Sequence, residues 1–185
     1  MTATTEVPSG LAGDLPPSPR EHYRELVATL LEQYRQLPVG APVRLAKRTS
    51  NLFRIRDASS APGLDVAAFD GVLHVDVESR TADVLGMTTY EHLVAATLPH
   101  GLMPLVVPQL KTITLGGAVT GLGIESTSFR DGLPHESVLE MDILTGDGQV
   151  ERYVTAQSKL IGVPGAYQSI TVSGITAVSP PPTTP

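Results

Sequence analysis

Apolar residues recur at three- and four-residue spacing between Arg20 and Leu37, at Tyr23, Leu26, Val27, Leu30, Leu31, Tyr34 and Leu37. That period predicts an amphipathic helix, which Pro38 and Gly40 stop. The rhythm then changes. Val43 to Lys47 alternates as a short strand and opens into the polar turn Arg48-Thr49-Ser50-Asn51. After a second loop, Ala58 to Gly63, the stretches Gly71–Val77 and Thr81–Met87 read as a hairpin turning at Glu78-Ser79-Arg80. Thr88 and Glu91 stand as N-cap and N3 of a capping box, so a helix is expected from there to about Leu98, ended by Pro99 and Gly101. Met103 to Val107 reads as the next strand. A last hairpin pairs Ser137–Leu144 with Gln149–Val154 across Gly146-Asp147-Gly148, where Asp-Gly is a strong turn signal. Two helices among this many hairpins predict an α+β fold, because a doubly wound sheet would alternate strand and helix throughout.

Between the second helix and the last hairpin the pattern dissolves into small residues. Gly116, Gly117, Gly121 and Gly123 fall within eight positions, flanked by Thr112, Thr114, Thr120, Ser126, Thr127 and Ser128. Glycine has no Cβ and tolerates positive φ, so such a run lets backbone N–H groups converge on an anionic ligand while the hydroxyls add donors. No Gly-x-x-x-x-Gly-Lys-Ser/Thr is present, and no strand–glycine–helix unit is expected around the run. A P-loop and a Rossmann fingerprint are therefore excluded.

Composition narrows the ligand. The chain has 185 residues, no cysteine and a formal charge of −6, with a pI near 5.3. One ordinary domain, or two small lobes, can bury a core at this length. Without cysteine there is no disulfide, no thiolate metal site and no cysteinyl cofactor bond. Scattered Lys and Arg argue against nucleic acid. His22, His74, His92, His100 and His135 show no metal-ligand spacing. No window approaches 18 apolar residues and Met1 to Gly10 has no signal-like apolar stretch, so a cytoplasmic protein with no transmembrane segment is expected.

The segment Thr114-Leu115-Gly116-Gly117-x-x-x-Gly121-x-Gly123-Ile124-Glu125-Ser126 resembles the flavin-binding loop of the vanillyl-alcohol-oxidase/PCMH-type family of FAD-linked oxidoreductases. Within that family it is most like the Δ24-sterol reductase branch, and the resemblance covers roughly residues 40 to 155. It implies a PCMH-type FAD-binding domain of two small α+β lobes, about 20–87 and 88–178, with FAD between them. Residues 1–19, rich in proline, are expected to form a disordered arm, and 179–185 a proline-rich tail. The echo of the family weakens after residue 156, and the separate substrate domain of intact relatives is missing, so a truncated or naturally short flavin-binding part is expected.

By that resemblance the cofactor-binding residues are Thr114, Leu115, Gly116, Gly117, Ala118, Val119, Thr120, Gly121, Leu122, Gly123, Ile124, Glu125, Ser126 and Ser128, with Ser50 and Asn51 of the earlier turn. The turn departs from the family's Gly- and Ser-rich version, and a solvated basic turn is its other reading. A carboxylate repels nearby phosphates, which leaves Glu125 two roles: bonding ribityl or ribose hydroxyls, or facing solvent. Histidyl attachment needs a His in the first loop, and Thr49-Ser50-Asn51 offers none, so FAD is expected to be noncovalent. His135 is either near the flavin or a polar surface residue. The acid or base near flavin N5 usually belongs to the substrate domain, so no catalytic residue is expected in this chain. Full-length relatives would move a hydride through flavin N5 on a small-molecule substrate, with sterol-like C=C reduction as one case. The alternatives are a non-catalytic interaction module and a fragment of a sugar or alditol oxidase.

Overall fold

The computed structural model describes residues 16–39, 43–47, 63–121 and 123–154. The fold is mixed α+β. Helix α1 runs from Pro17 to Arg35, starting three residues before the apolar rhythm begins. Pro17 stands in its first turn, where the missing N–H has no intrahelical partner to lose and φ is already helical. Its buried stripe, Tyr23, Val27, Leu30 and Leu31, is the one the spacing predicts.

Strand β1 (Arg44–Ala46) pairs in parallel with β2 (Gly63–Asp65). The expected hairpin is present as β3 (Val72–Asp76) and β4 (Thr81–Val84), antiparallel with an irregularity between Val72 and His74. Its second strand stops at Val84 because Leu85, Gly86 and Met87 turn toward the next helix: Leu85 N–H donates to Gly71 and Met87 N–H to Phe69.

Helix α2 (Tyr90–Thr97) corrects the cap assignment by one residue. Thr89, not Thr88, is the N-cap, accepting from His92 N–H at 3.2 Å. The Thr88 side chain is pulled inward, where its hydroxyl both accepts from Gly71 N–H and donates to Gly71 O, each at 2.8 Å. Glu91 does not reach back over the helix start and pairs instead with Lys111 Nζ at 2.5 Å. A single 3-10 turn, Leu98–His100, ends at Gly101, whose φ of 72° only glycine adopts cheaply.

Met103 to Val107 does not form a strand. Pro104 and Pro108 bound the apolar residues and have no N–H to give a ladder, so Val106 buries its side chain from irregular backbone. Two short helices follow within the expected loop: α3 (Leu115–Gly121) and α4 (Ser128–Asp131). After a 3-10 turn at Pro134–Ser137, strands β5 (Glu140–Leu144) and β6 (Val150–Val154) form the last antiparallel pair. The strand starts three residues later than the pattern suggested, since Ser137 belongs to that turn and its hydroxyl donates to Pro134 O. Gly148, at φ 79°, makes the Asp-Gly turn.

Two apolar clusters underlie these elements. One joins α1 to Leu64, Val66, Phe69, Leu85 and Leu144. The other joins Ala82 and Val84 of β4 to Tyr90, Leu93, Leu115, Ala118, Val119 and Val138. The first is closed by a polar clasp. Tyr23 donates to Asp142 Oδ2 at 2.6 Å, and Arg152, opposite Asp142 in the β5–β6 register, donates to both carboxylate oxygens at 3.0 and 3.3 Å. Burial first, and then the Asp142 carboxylate, hold the Tyr23 phenol far above its ordinary range.

Candidate functional site

Helix α3 grows out of the glycine run because the chain before it is pinned. Segments 86–91 and 111–116 lie antiparallel, with Tyr90 N–H on Ile113 O, Glu91 N–H on Lys111 O, Leu115 N–H on Thr88 O and Gly116 N–H on Gly86 O, all within 2.8–3.0 Å. Thr114 then caps the helix: its hydroxyl accepts from Gly117 N–H at 3.2 Å and its carbonyl from Ala118 N–H at 2.9 Å. The N–H groups of Leu115, Gly116, Gly117 and Ala118 are thereby taken up inside the protein.

The glycines of the run also do without the conformation that glycine makes cheap. Among the described residues the glycines at positive φ are Gly71, Gly101, Gly132 and Gly148. Gly116, Gly117 and Gly121 are not among them, because they lie in a right-handed helix. Their smallness must therefore be explained by neighbours or by a ligand.

Neighbours explain only one of the three whose surroundings are defined. A Cβ on Gly117 would stand 2.9 Å from Thr114 Oγ1, against the cap itself. A Cβ on Gly121 would meet nothing within 4 Å, and one on Gly123 would have only Glu125 Oε1, at an ordinary 3.7 Å. Glycine in a helix is about 1 kcal/mol worse than alanine. Gly121 is the last residue of α3, where that cost is smaller, and among the described residues it leaves open space beside the helix end.

Around that space the other sequence candidates divide. Leu115, Ala118 and Val119 are buried in the second apolar cluster and hold α3 in place. Thr120 donates to Gly116 O at 2.8 Å, one helical turn back. Ser128 Oγ accepts from Glu125 N–H at 3.0 Å, and Ser128 N–H returns to Glu125 O at 3.0 Å, closing the turn 125–128. Ile124 and Phe129 stand out at 81% and 90% exposure, and Ser126 is exposed between them. Ser50, Asn51 and Leu122 lie outside the described residues, as do the rest of the Arg48–Asn51 turn, most of the proline-rich N-terminal arm, and everything from residue 155 on.

Glu125 has a role that spacing could not show. Its Oε2 accepts from Gln109 N–H at 3.1 Å, while Thr127 Oγ1 donates to Leu105 O at 3.1 Å. These two bonds stitch the turn after α3 to the irregular segment 105–109. Burial, reinforced by the charge of Glu125, keeps the Tyr90 phenol protonated well above its usual range. His135 lies in the 3-10 turn packed against α3, half-buried, with its Nδ1 out of contact with solvent. His92 reaches Asp70 at 3.3 Å.

Small residues on α3, exposed apolar side chains soon after it and a hydroxyl-bearing turn are groups that can meet a cofactor with flat parts and a polar linker. Comparison with known proteins decides which. The model of the family described as "FAD binding domain" matches residues 23–153. The chain belongs to this FAD-binding family. Relatives include cytokinin dehydrogenase 2 of Oryza sativa subsp. japonica, 35% identical over 42% of this chain and 14% of its own length. The Δ24-sterol reductase of Pisum sativum is 31% identical over 47% of this chain and 15% of its own length. The decaprenylphosphoryl-β-D-ribose oxidase of Mycolicibacterium smegmatis is 31% identical over 50% of this chain and 20% of its own length. The chain therefore spans a fifth or less of the length of these relatives. FAD is its cofactor, and no helix among the described residues is long and apolar enough to cross a membrane.

Proposed function

We propose that this FAD-binding domain holds its cofactor noncovalently against the open face formed by Gly121, Gly123 and the turn to Ser128, as the cofactor-binding part of a flavin-dependent oxidoreductase. One observation supports the assignment: among the described residues Gly121 has neither a positive φ nor a neighbour within 4 Å, which leaves room there for a group outside the chain. Ile124 and Phe129, exposed in the residues that follow, suit the apolar faces of a flavin or adenine ring. The resemblance extends the site to Thr114 through Thr120, Leu122, Ser126, Ser50 and Asn51. In the fold, Thr114, Leu115, Ala118 and Val119 support the face rather than form it.

When bound, the isoalloxazine supplies hydride transfer through its N5. The chain's own residues bind and orient it. The relatives' names are those of a dehydrogenase, a reductase and an oxidase, which supports redox chemistry on a C–H or C=C bond. A sterol-like substrate is one such case, and the residues that meet it belong to sequence beyond this domain.

The test compares two glycines of one helix. Gly121→Val improves helix propensity and meets no neighbour, so the apo protein should melt no lower than wild type, while FAD affinity, read by flavin fluorescence, should drop tenfold or more. Wild-type affinity in Gly121→Val would overturn the placement. Gly117→Val, by contrast, should destabilise the apo fold through Thr114 whether or not FAD binds.

A further inference from the structure

Glu125, in the turn that follows α3, has its two carboxylate oxygens placed differently. Oε2 is committed to Gln109 N–H at 3.1 Å. Oε1 is the nearest atom to the Cβ position of Gly123, 3.7 Å away, so it borders whatever rests on that glycine. That bond, exposed to solvent, favours this placement of the carboxylate and, with Thr127 on Leu105 O, ties 105–109 to 123–128.

A fixed carboxylate oxygen beside a bare backbone is selective about charge. It accepts a hydrogen bond from a hydroxyl, and it repels a phosphate, since like charges a few ångströms apart lie well inside the screening length. FAD carries both kinds of group: a pyrophosphate in the middle, with ribityl hydroxyls on one side and ribose hydroxyls on the other. Resting on the placement of FAD above, we infer that Glu125 sorts the cofactor along the glycine face, taking a sugar or polyol hydroxyl on Oε1 at Gly123 and keeping the phosphates away from that glycine. The phosphates then lie toward other parts of the site, and Glu125 acts both as a ligand group and as the strut that holds its own turn.

The sign of one substitution tests this. Glu125→Gln keeps the size and one oxygen to accept Gln109 N–H, but turns an NH2 toward Gly123. If Oε1 accepts a hydroxyl, FAD affinity in Glu125→Gln should fall about tenfold or more, the effect of losing a hydrogen bond to a charged group, with the apo melting temperature within a few degrees of wild type. Competition by riboflavin 5′-phosphate and by ADP in both proteins identifies the source: the fragment carrying the relevant hydroxyls loses affinity in the variant and the other does not. Tighter FAD binding in Glu125→Gln would put phosphate at Gly123 and overturn the inference, and so would unchanged binding. Should the variant not fold, the wild-type chain still decides through two ligand pairs, riboflavin against lumiflavin and adenosine against 2′,3′-dideoxyadenosine. Equal competition within both pairs would overturn it. A wild-type chain that takes up no FAD removes the placement of the cofactor and this inference together, whereas FAD uptake without the Glu125 effect removes the inference alone.

Discussion

Helix α1 and the β5–β6 hairpin meet through groups that answer one another. Asp142, 1% exposed, is met by Tyr23 and Arg152, and Tyr34 donates to Gly146 O at 2.5 Å with its ring against Gly148. Residues 115–129 form the opposite kind of surface. Their glycine face has open space where side chains could be, and Ile124 and Phe129 project into solvent. A closed region spends its polar groups on itself. If the open one receives the cofactor as proposed, substitutions in the two regions should separate stability from ligand affinity.

The sharpest break comes from Asp142→Ala. It leaves Arg152, 17% exposed, and the Tyr23 hydroxyl without the carboxylate between them. Removing one partner of a buried ion pair costs about 3 kcal/mol or more, and urea denaturation should show a loss of that order. FAD affinity of the fraction that remains folded should stay near wild type. Gly121→Val should give the reverse pattern. If Asp142→Ala lowered FAD affinity without lowering stability, the division between the regions would be wrong.

A middle-sized test separates two neighbouring threonines. Thr88→Val keeps shape but leaves Gly71 N–H and Gly71 O without the hydroxyl that serves both, a loss of about 2 kcal/mol. Thr89→Ala removes only the α2 cap, at about 1 kcal/mol. Thermal or urea unfolding of the two variants gives the ranking. A larger loss in Thr89→Ala would restore the order that the Thr88…Glu91 spacing suggests.

That pair also shows what the sequence could convey. The α1 stripe and the Gly146-Asp147-Gly148 turn were legible because their causes are local: a 3.6-residue period, and a glycine at φ 79°. The cap was misplaced by one because Gly71, seventeen residues earlier, decides which threonine turns inward. Helix α3 was invisible because three of its seven residues are glycine, and it is held by backbone bonds to residues 86–91 that no periodicity records. The apolar run at 103–107 looked like a strand until its prolines were weighed as missing donors. At the site, residue type was informative and residue role was not. Four glycines marked the region, but only the space around them separates Gly117, which packs on its own cap, from Gly121, which does not, and the bond from Gln109 to Glu125 spans sixteen positions without any local signal.

The smallest effect lies at the tips of the two hairpins and asks whether the closed region extends to its turn. The Thr145 hydroxyl, then Gln149 N–H, holds the Asp147 carboxyl below its ordinary 3.8, while the Ser79 side chain and then backbone N–H groups lower Asp76 in the same sense. A carboxyl depressed in the folded state stabilises above its unfolded value and loses that contribution as pH falls through the folded one. Stability should therefore be flat from neutral pH down to about 4 and then decline on the acid side. Asp147→Asn and Asp76→Asn should each make that decline shallower, with little change at neutral pH, both turns being exposed to solvent and to salt. Melting temperatures measured between neutral pH and about pH 3 read the difference. An equal flattening from the two variants would show that the tip of the β5–β6 hairpin is no more tightly coupled than that of β3–β4, confining the closed region to the contacts around Asp142 and Tyr34.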